Sequence, residues 1–215
     1  MVESDAVIMA PSLKAKWSDI VALGAALGCA FLMINWIHFQ TLPVAVILYA
    51  CIVDAILSSA IVGGVYWAFR RKKSPLLATE TVLSILAANL LILLYSVMGP
   101  TVIDRSLSIY IVEKIDHRGG AVAEAAMPKI ILTEFMQEYR VADVRMTEQV
   151  TSGTVKIEDG CIRMTPRGRT LAQFTRFFRR NFLPQHRRIA DEITDELTHP
   201  YKDTPVLVPF KCPQR

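Results

Sequence analysis

Three long apolar runs fill most of the first hundred residues. They cover about 18–40, 43–69 and 75–98. Each is close to the roughly 20 apolar residues that an α-helix needs to cross a hydrocarbon core of about 30 Å. The pattern therefore predicts three transmembrane helices within residues 18–99.

The residues in and around these runs favour a membrane over a soluble core. The second run is broken only by Asp54 and the third only by Glu80. Trp17, Trp36 and Tyr95 lie near the ends of the runs, where aromatic side chains of membrane proteins meet the interface. The alternative, three buried helices of a soluble core, gives no reason for these flanking aromatic residues.

The hydrophobic spacing changes after the third run. Gly99-Pro100 predicts a break in the helix at the membrane surface. Ile103, Leu107 and Tyr110 then recur on one face of a helix, with polar residues opposite. This pattern predicts an amphipathic helix within 100–118 that lies at the membrane interface.

Residues 119–199 predict a small α+β domain. Alternating residues on both sides of Asp159-Gly160 predict a β-hairpin. The other predicted elements are helices over 121–139, 141–151, 169–182 and 189–197, followed by an extended tail over 200–215. The predicted fold class is an integral membrane protein, mainly α, with three transmembrane helices before this domain.

Residues 121–182 resemble a winged-helix domain. Two helices precede a strand pair with an acidic-Gly turn, and the pair ends in Met164-Thr165-Pro166-Arg167-Gly168-Arg169. That stretch is similar to the Leu-Thr-x-x-Gly-like motif that opens the last helix of the family. The resemblance implies a winged-helix-like fold in which Thr165 caps the last helix and Pro166 begins it.

The helix in the recognition position departs from a DNA-binding winged helix. Its basic residues are Arg140 and Arg145, and it also carries Asp143 and Glu148. A DNA-reading helix would carry more positive charge and more amide side chains. Winged helices also serve as protein-contact modules, and a fold alone does not define a function.

Composition narrows the class of protein. Apolar residues make up 52% and charged residues 20% of the 215 residues, whereas a soluble domain carries about 25% charge. The first hundred residues hold 6 Lys or Arg and 5 Asp or Glu, and the remainder hold 18 and 15. This excludes a simple soluble globule, a disordered chain and a small disulfide scaffold. The modest positive charge of the polar half also argues against nucleic-acid binding.

Basic residues near the runs predict the orientation. Arg70-Arg71-Lys72-Lys73 lies between the second and third runs, whereas residues 38–43 between the first two contain no Lys or Arg. Lys and Arg in short loops concentrate on the cytoplasmic side. We therefore expect residues 1–17 in the cytoplasm and the polar domain outside it, in a bacterial inner membrane.

Small and polar residues in the runs indicate how the helices pack. Small residues at four-residue spacing let helix backbones approach closely, and they are Gly24, Gly28, Ala55, Ser59 and Gly63. Asp54 and Asn89 lie at similar distances from the basic loop, so they are predicted to meet as an intramembrane polar pair. A buried ionisable group is costly and is usually partnered or functional, so the pair is either structural or part of a docking surface.

Asp104, Arg105 and Ser106 form a candidate lipid-phosphate site. They open the predicted interfacial helix, and a helix N-terminus beside an arginine can bind phosphate. The alternative is that Asp104 caps the helix while Arg105 reaches ordinary headgroups.

The predicted helix over 169–182 is both aromatic and basic. Phe174 and Phe178 are expected to be buried. The basic side chains of this region are Arg176, Arg179, Arg180, Arg187 and Arg188. They form either the solvated face of a core helix or a surface that rests on anionic lipid headgroups.

The cysteines and the missing motifs limit the chemistry. Cys161 and Cys212 fall in the polar half, so a disulfide between them is one hypothesis if that half is extracytoplasmic. In the cytoplasm they would be reduced thiols. The sequence contains no metal-ligand spacing, nucleotide-binding loop or hydrolase motif, so no catalytic residue, metal or cofactor is predicted.

The leading hypothesis is a non-enzymatic multi-pass membrane accessory subunit or scaffold, with cell-envelope glycan or glycolipid assembly as a setting. Its expected contacts are the lipid bilayer, anionic lipid headgroups, and a membrane protein partner or a second copy of the chain. One alternative is a membrane-tethered winged-helix DNA-binding regulator, which requires a cytoplasmic polar domain. Another is an enzyme acting on a lipid-phosphate substrate at Asp104 and Arg105.

Overall fold

The computed structural model describes residues 12–189, 191–198, 200, 201 and 212. Most of the predicted N-terminal segment, 1–17, and most of the predicted tail, 200–215, therefore lie outside the described residues. The chain divides into two units between Phe135 and Met136, whereas the sequence placed the start of the polar domain at residue 119.

Three long helices dominate the first unit. They are α1 (Leu13–Thr41), α2 (Ile47–Val65) and α3 (Ala78–Ser96). A π turn, Tyr66–Arg70, extends α2. With their extensions the helices are 23 to 29 residues long, which together with their hydropathy makes them able to cross a membrane. The mainly helical fold with three helices of this kind agrees with the sequence-based prediction.

The buried stripe of α1 is polar at its ends and apolar in its middle. Its members recur every four residues and are Asp19, Leu23, Leu27, Phe31 and Asn35. The buried stripe of α3 follows the same rule, with Ser84 and Ser96 at the ends and Ala88 and Ile92 between them. On these two helices the buried positions between the polar ends are apolar, whereas α2 buries Ser58 as well as Asp54.

Large apolar side chains on the outside of the bundle are exposed. On α3 they include Leu86, Leu90 and Leu94. This arrangement, with polar groups inside and apolar side chains outside, is expected of helices in lipid. Lipid solvates apolar side chains, whereas polar groups must pair with one another.

The third helix does not break at Gly99-Pro100, which corrects the sequence-based prediction. It continues through a π turn, Val97–Thr101, and a short α-helical turn, Val102–Arg105. A π turn alters the hydrogen-bond register locally, so the helix can pass a residue that has no amide hydrogen. The break falls instead at Ser106, whose backbone is extended.

Helix α4 (Leu107–His117) follows this break. Ser106 caps it by accepting a hydrogen bond from the Ile109 amide at 3.2 Å. The region predicted as one helix over 121–139 is helical from residue 124 to residue 138, but its type changes along the way: Glu124–Ala126 is a 3₁₀ turn, Met127–Lys129 and Met136–Glu138 are α-helical, and Ile130–Phe135 is π-helical.

In the part of the second unit that the structure describes, two longer helices accompany two small sheets. Its elements are α5 (Val141–Thr151), the hairpin β1 (Val155–Glu158) with β2 (Cys161–Met164), α6 (Pro166–Phe182), and the hairpin β3 (Arg187–Ile189) with β4 (Glu192–Thr194). Both strand pairs are antiparallel. Asp159 and Gly160 close the first hairpin with φ of 54° and 71°, as a two-residue hairpin turn with both central residues at positive φ requires.

The helix predicted over 189–197 is wrong. Arg187–Ile189 pairs with Glu192–Thr194, with Arg188 opposite Ile193. Asp191, in the connection, has φ of 68°, a left-handed conformation that interrupts an α-helix but suits a tight turn. A single helical turn, Glu196–Thr198, follows β4.

Candidate functional site

A buried polar cluster joins α1 to α2 near the short connection between them. Asp54 is only 2% exposed. One of its carboxylate oxygens accepts a hydrogen bond from Asn35 Nδ2 at 2.8 Å, and the other lies 2.8 Å from His38 Nδ1. Each carboxylate oxygen therefore has a partner, which is what a buried carboxylate requires.

The predicted pairing of Asp54 with Asn89 does not occur in the described helices. Asn89 bonds Ser59 instead, through its Nδ2 at 2.8 Å and its Oδ1 at 3.0 Å. The reason is helical geometry, since five residues at about 100° each turn Asp54 and Ser59 to directions about 140° apart. Asp54 consequently faces α1, while Ser59 faces α3.

The sequence contained a signal for the true partners of Asp54. Only five residues, 42–46, separate α1 from α2. Residues at equal distances from such a connection lie side by side in an antiparallel helix pair. Asn35 lies seven residues before the connection and Asp54 lies eight after it, so counting from the loop would have placed them together.

A second polar cluster lies at the opposite end of the bundle. Ser74 donates a hydrogen bond to the buried Asp19 carboxylate at 2.6 Å, and the Tyr66 hydroxyl donates to Ser74 at 2.7 Å. Nearby, Lys16 and Glu80 form an ion pair at 2.7 Å. These contacts attach the basic loop between α2 and α3 to the start of α1.

The two small-residue faces have different surroundings. On α2, Ser59 bonds α3, and a Cβ on Gly63 would lie 4.0 Å from Ile85 Cδ1, so this face packs against α3 as predicted for it. On α1, a Cβ on Gly24 or Gly28 would meet nothing within 4 Å. The α1 glycines are therefore not in close contact with a neighbouring helix, contrary to the expectation.

Gly24 and Gly28 instead line an open groove of about 530 Å³ between α1 and α3. Its other walls are almost entirely apolar and include Phe31, Leu91 and Tyr95. The groove lies at the outer surface of the bundle, so its contents are set by whatever surrounds the helices.

The three residues of the candidate lipid-phosphate site do not share the start of one helix. Asp104 and Arg105 end the extension of α3, and Ser106 begins α4. The Ser106 hydroxyl already accepts the Ile109 amide hydrogen bond. Phosphate binding by these residues stays a prediction. The structure supports it less than the sequence does, because the three residues do not form one helix N-terminus.

An ion-pair cluster fastens α4 within the first unit. Glu134 lies 2.8 Å from Lys114 Nζ and 2.6 Å from Arg118 Nη2. The hydrogen bond from Lys114 holds the pKa of the Glu134 carboxyl below its ordinary value, and Arg118 adds to this effect, while partial burial of the carboxyl opposes it. Tyr110 packs nearby against Phe135, with ring centroids 4.8 Å apart.

A tight joint attaches α6 to the rest of the second unit. Thr165 caps the helix by accepting the Gly168 amide at 3.1 Å, and its hydroxyl donates to the carbonyls of Gly153 and Thr154 at 2.7 and 3.0 Å. A Cβ on Gly168 would lie 2.9 Å from the Thr154 carbonyl carbon. Only glycine fits this close approach between helix and backbone.

Cys161 and Cys212 are joined by a disulfide, with their Cα atoms 6.0 Å apart. The disulfide connects the β1–β2 hairpin to a residue 51 positions further along the chain. Cys29 and Cys51 carry free thiols.

The aromatic side chains of α6 are exposed, which corrects the prediction that Phe174 and Phe178 are buried. They are 57% and 43% exposed, and Phe177 and Phe182 are similarly open. Within α6, which the structure describes completely, Gly168 is the one buried residue.

Within the described residues, no group of three or more His, Cys, Asp or Glu side chains is placed to hold a metal ion. The fold defines a three-helix bundle of membrane-spanning length followed by a small unit with two sheets. Comparisons of the chain with protein-family models, curated proteins and solved structures find no match.

Proposed function

We propose that the protein is a non-enzymatic multi-pass membrane subunit that packs a transmembrane helix of a partner protein into the groove between α1 and α3. The observation that carries this proposal is the open surface at Gly24 and Gly28. Helix association in lipid depends on close backbone packing at small residues. The two glycines allow such an approach, and none of the helices that the structure describes lies against them.

The pairing of polar groups inside the bundle supports assembly rather than chemistry. Asp54 is satisfied by Asn35 and His38, and Asn89 by Ser59. These contacts join helices to one another. They suit a scaffold that must keep a defined outer surface for a partner.

We place the polar unit outside the cytoplasm, in the periplasm of a bacterial inner membrane. The basic loop before α3 supports this orientation through the distribution of Lys and Arg. The Cys161–Cys212 disulfide also supports it, because disulfides persist in oxidising compartments. Phosphatase and fluorescent-protein fusions after residue 100 and at the C-terminus test it, and fluorescence without phosphatase activity would reverse the orientation.

DNA binding by the winged-helix-like region has less support. Arg140 pairs with Asp143 at 2.8 Å and Arg145 pairs with Glu148 at 2.8 Å. Each basic side chain at the helix in the recognition position therefore has an acidic partner. A DNA-reading surface would leave them for phosphates and base edges.

Site-specific photo-crosslinking tests the groove. A photoreactive residue replaces Leu91 in the groove or, as a matched control, Ile56 on the outside of α2; these side chains are 67% and 65% exposed. We expect an adduct with one membrane protein from position 91 and none from position 56. Gly28→Leu, which fills the groove, should abolish the adduct.

Three results would count against the proposal. Equal labelling from positions 91 and 56 would indicate contact with lipid alone. An adduct that survives Gly28→Leu would place the partner outside the groove. An adduct of twice the 24.0 kDa chain mass would identify the occupant as a second copy.

A further inference from the structure

Helix α6 places its large apolar side chains on one side and four of its five arginines on the other, while Arg167, in the first turn, falls on the apolar side. At about 100° per residue, its large apolar side chains fall within an arc of about 140°, and these are Leu171, Phe174, Phe177, Phe178 and Phe182. Four arginines fall within an opposite arc of about 100°, and these are Arg169, Arg176, Arg179 and Arg180. The helix contains no Asp or Glu.

The apolar side of α6 is not used as a core. Its four phenylalanines are between 43% and 65% exposed. They also contact one another, with ring centroids 6.0 Å apart for Phe174 and Phe178 and 5.2 Å apart for Phe178 and Phe182. The side chains therefore form one continuous aromatic ridge, and an exposed apolar patch of this kind marks an interaction surface.

The joint at the start of α6 explains how this ridge is held outward. Thr165 and Gly168 fix the first turn against the carbonyl of Thr154. Beyond that turn the helix presents almost its whole circumference. The position of the ridge is therefore set at the N-terminal end of the helix, and the aromatic side chains of the ridge remain exposed.

We propose that α6 is an interfacial membrane anchor, with its aromatic ridge inserted among the lipids and its arginines bound to anionic headgroups. Charge complementarity selects this occupant, because four arginines and no acid lie on the helix opposite the ridge and Arg187 and Arg188 follow it in β3. A basic polar face opposite Phe and Leu is typical of helices that lie in the bilayer interface. Helix α6 belongs to the same chain as the three candidate membrane spans, so it is covalently linked to segments that can enter a bilayer.

Hydrogen–deuterium exchange on the full-length protein tests this proposal. The protein is placed in nanodiscs of phosphatidylcholine alone or with phosphatidylglycerol, and in detergent micelles. We expect exchange of the α6 amides to slow by at least about tenfold when the anionic lipid is added, because each arginine near a charged surface contributes to binding. The β1–β2 hairpin should exchange at the same rate in both nanodiscs.

A pair of matched variants identifies the cause. Arg176→Gln with Arg180→Gln should remove most of the lipid-dependent protection. Arg140→Gln with Lys156→Gln removes the same charge from exposed positions elsewhere in the unit and should leave it intact.

The other outcomes overturn the proposal. Equal protection in neutral nanodiscs, anionic nanodiscs and detergent would mean that another segment of this chain covers the ridge. Fast exchange under all three conditions would mean that neither lipid nor another segment of the chain covers the ridge. A protein partner would then be its occupant. Neither result bears on the groove between α1 and α3, so this proposal and the proposed function can fail separately.

Discussion

Replacing Gly168 with alanine should destabilise the second unit, although alanine is the better helix former. The new Cβ would lie 2.9 Å from the Thr154 carbonyl carbon and 3.2 Å from Met164 Cγ, whereas carbon atoms in contact sit about 3.5–4.0 Å apart. The Thr154 carbonyl cannot simply retreat, because it also accepts hydrogen bonds from the amide and the hydroxyl of Thr165.

The magnitude follows from three effects. Overpacking costs about 1–3 kcal/mol, and each weakened hydrogen bond costs about 0.5–1.5 kcal/mol. Alanine returns about 1 kcal/mol through its helix propensity. With both hydrogen bonds to the Thr154 carbonyl weakened, the expected loss is about 1–5 kcal/mol in the free energy of local opening, which corresponds to amide exchange faster by roughly 5-fold or more.

Hydrogen exchange of the β1–β2 hairpin in the full-length protein measures this effect. Gln173→Ala is the matched control, because Gln173 is an exposed position of the same helix. The control should exchange like the original protein. Protection in Gly168→Ala equal to or above that of the original protein would refute the argument from the close approach at Thr154.

Three further predictions concern the polar contacts. Asp54→Ala should lower the free energy of unfolding of the bundle by about 1–3 kcal/mol, because it leaves buried polar groups without a partner; thermal unfolding in detergent measures it. The Lys114–Glu134 contact should stabilise α4 fully above the ordinary glutamate pKa of about 4.3 and lose this effect as the pH falls through the lower folded-state pKa, as protection factors of α4 amides would record. In the denatured, unreduced chain a maleimide should label two of the four cysteines, because Cys161 and Cys212 are joined.

Each of these has a control variant. Asp54→Asn keeps hydrogen-bonding capacity and should be milder than Asp54→Ala; equal stability of both variants and the original protein would mean that the cluster does not fasten α1 to α2. Glu134→Gln should remove the pH dependence, and a persistent dependence would assign it to another group. Cys161→Ser should raise the unreduced labelling from two to three, whereas four labels in the original chain would exclude the disulfide.

The sequence determines some elements through local rules that tertiary contacts do not override. The β1–β2 hairpin follows from alternating residues around Asp159-Gly160, which accept the positive φ that a tight turn needs. The start of α6 follows from Thr165 before Pro166, since one caps the helix and the other suits its first turn. The long apolar runs likewise define three helices by length alone.

Other features depend on contacts that no local pattern contains. The exposure of Phe174 and Phe178 could not be foreseen, because an amphipathic helix looks the same whether its apolar side meets a core, a lipid surface or a partner. The pairing of Asp54 is different, because counting residues from the short α1–α2 connection would have placed it beside Asn35. The predicted helix break at Pro100 is wrong because a π turn, which has no sequence signature of its own, continues the helix past this residue.

The arrangement of the bundle interior bears on our proposal of a structural role. The polar layers at Asp19 and Asn35 are sixteen residues apart on α1, or about 24 Å at 1.5 Å per residue. Leu23, Leu27 and Phe31 occupy the buried positions between them, and Ala88 and Ile92 do so on α3. The polar groups between these layers are paired, since Asn89 bonds Ser59 and Ser58 donates to the Ala55 carbonyl. Paired polar groups that join the helices hold them in register, and this supports the proposal that the exposed groove between α1 and α3 keeps a fixed shape for a partner.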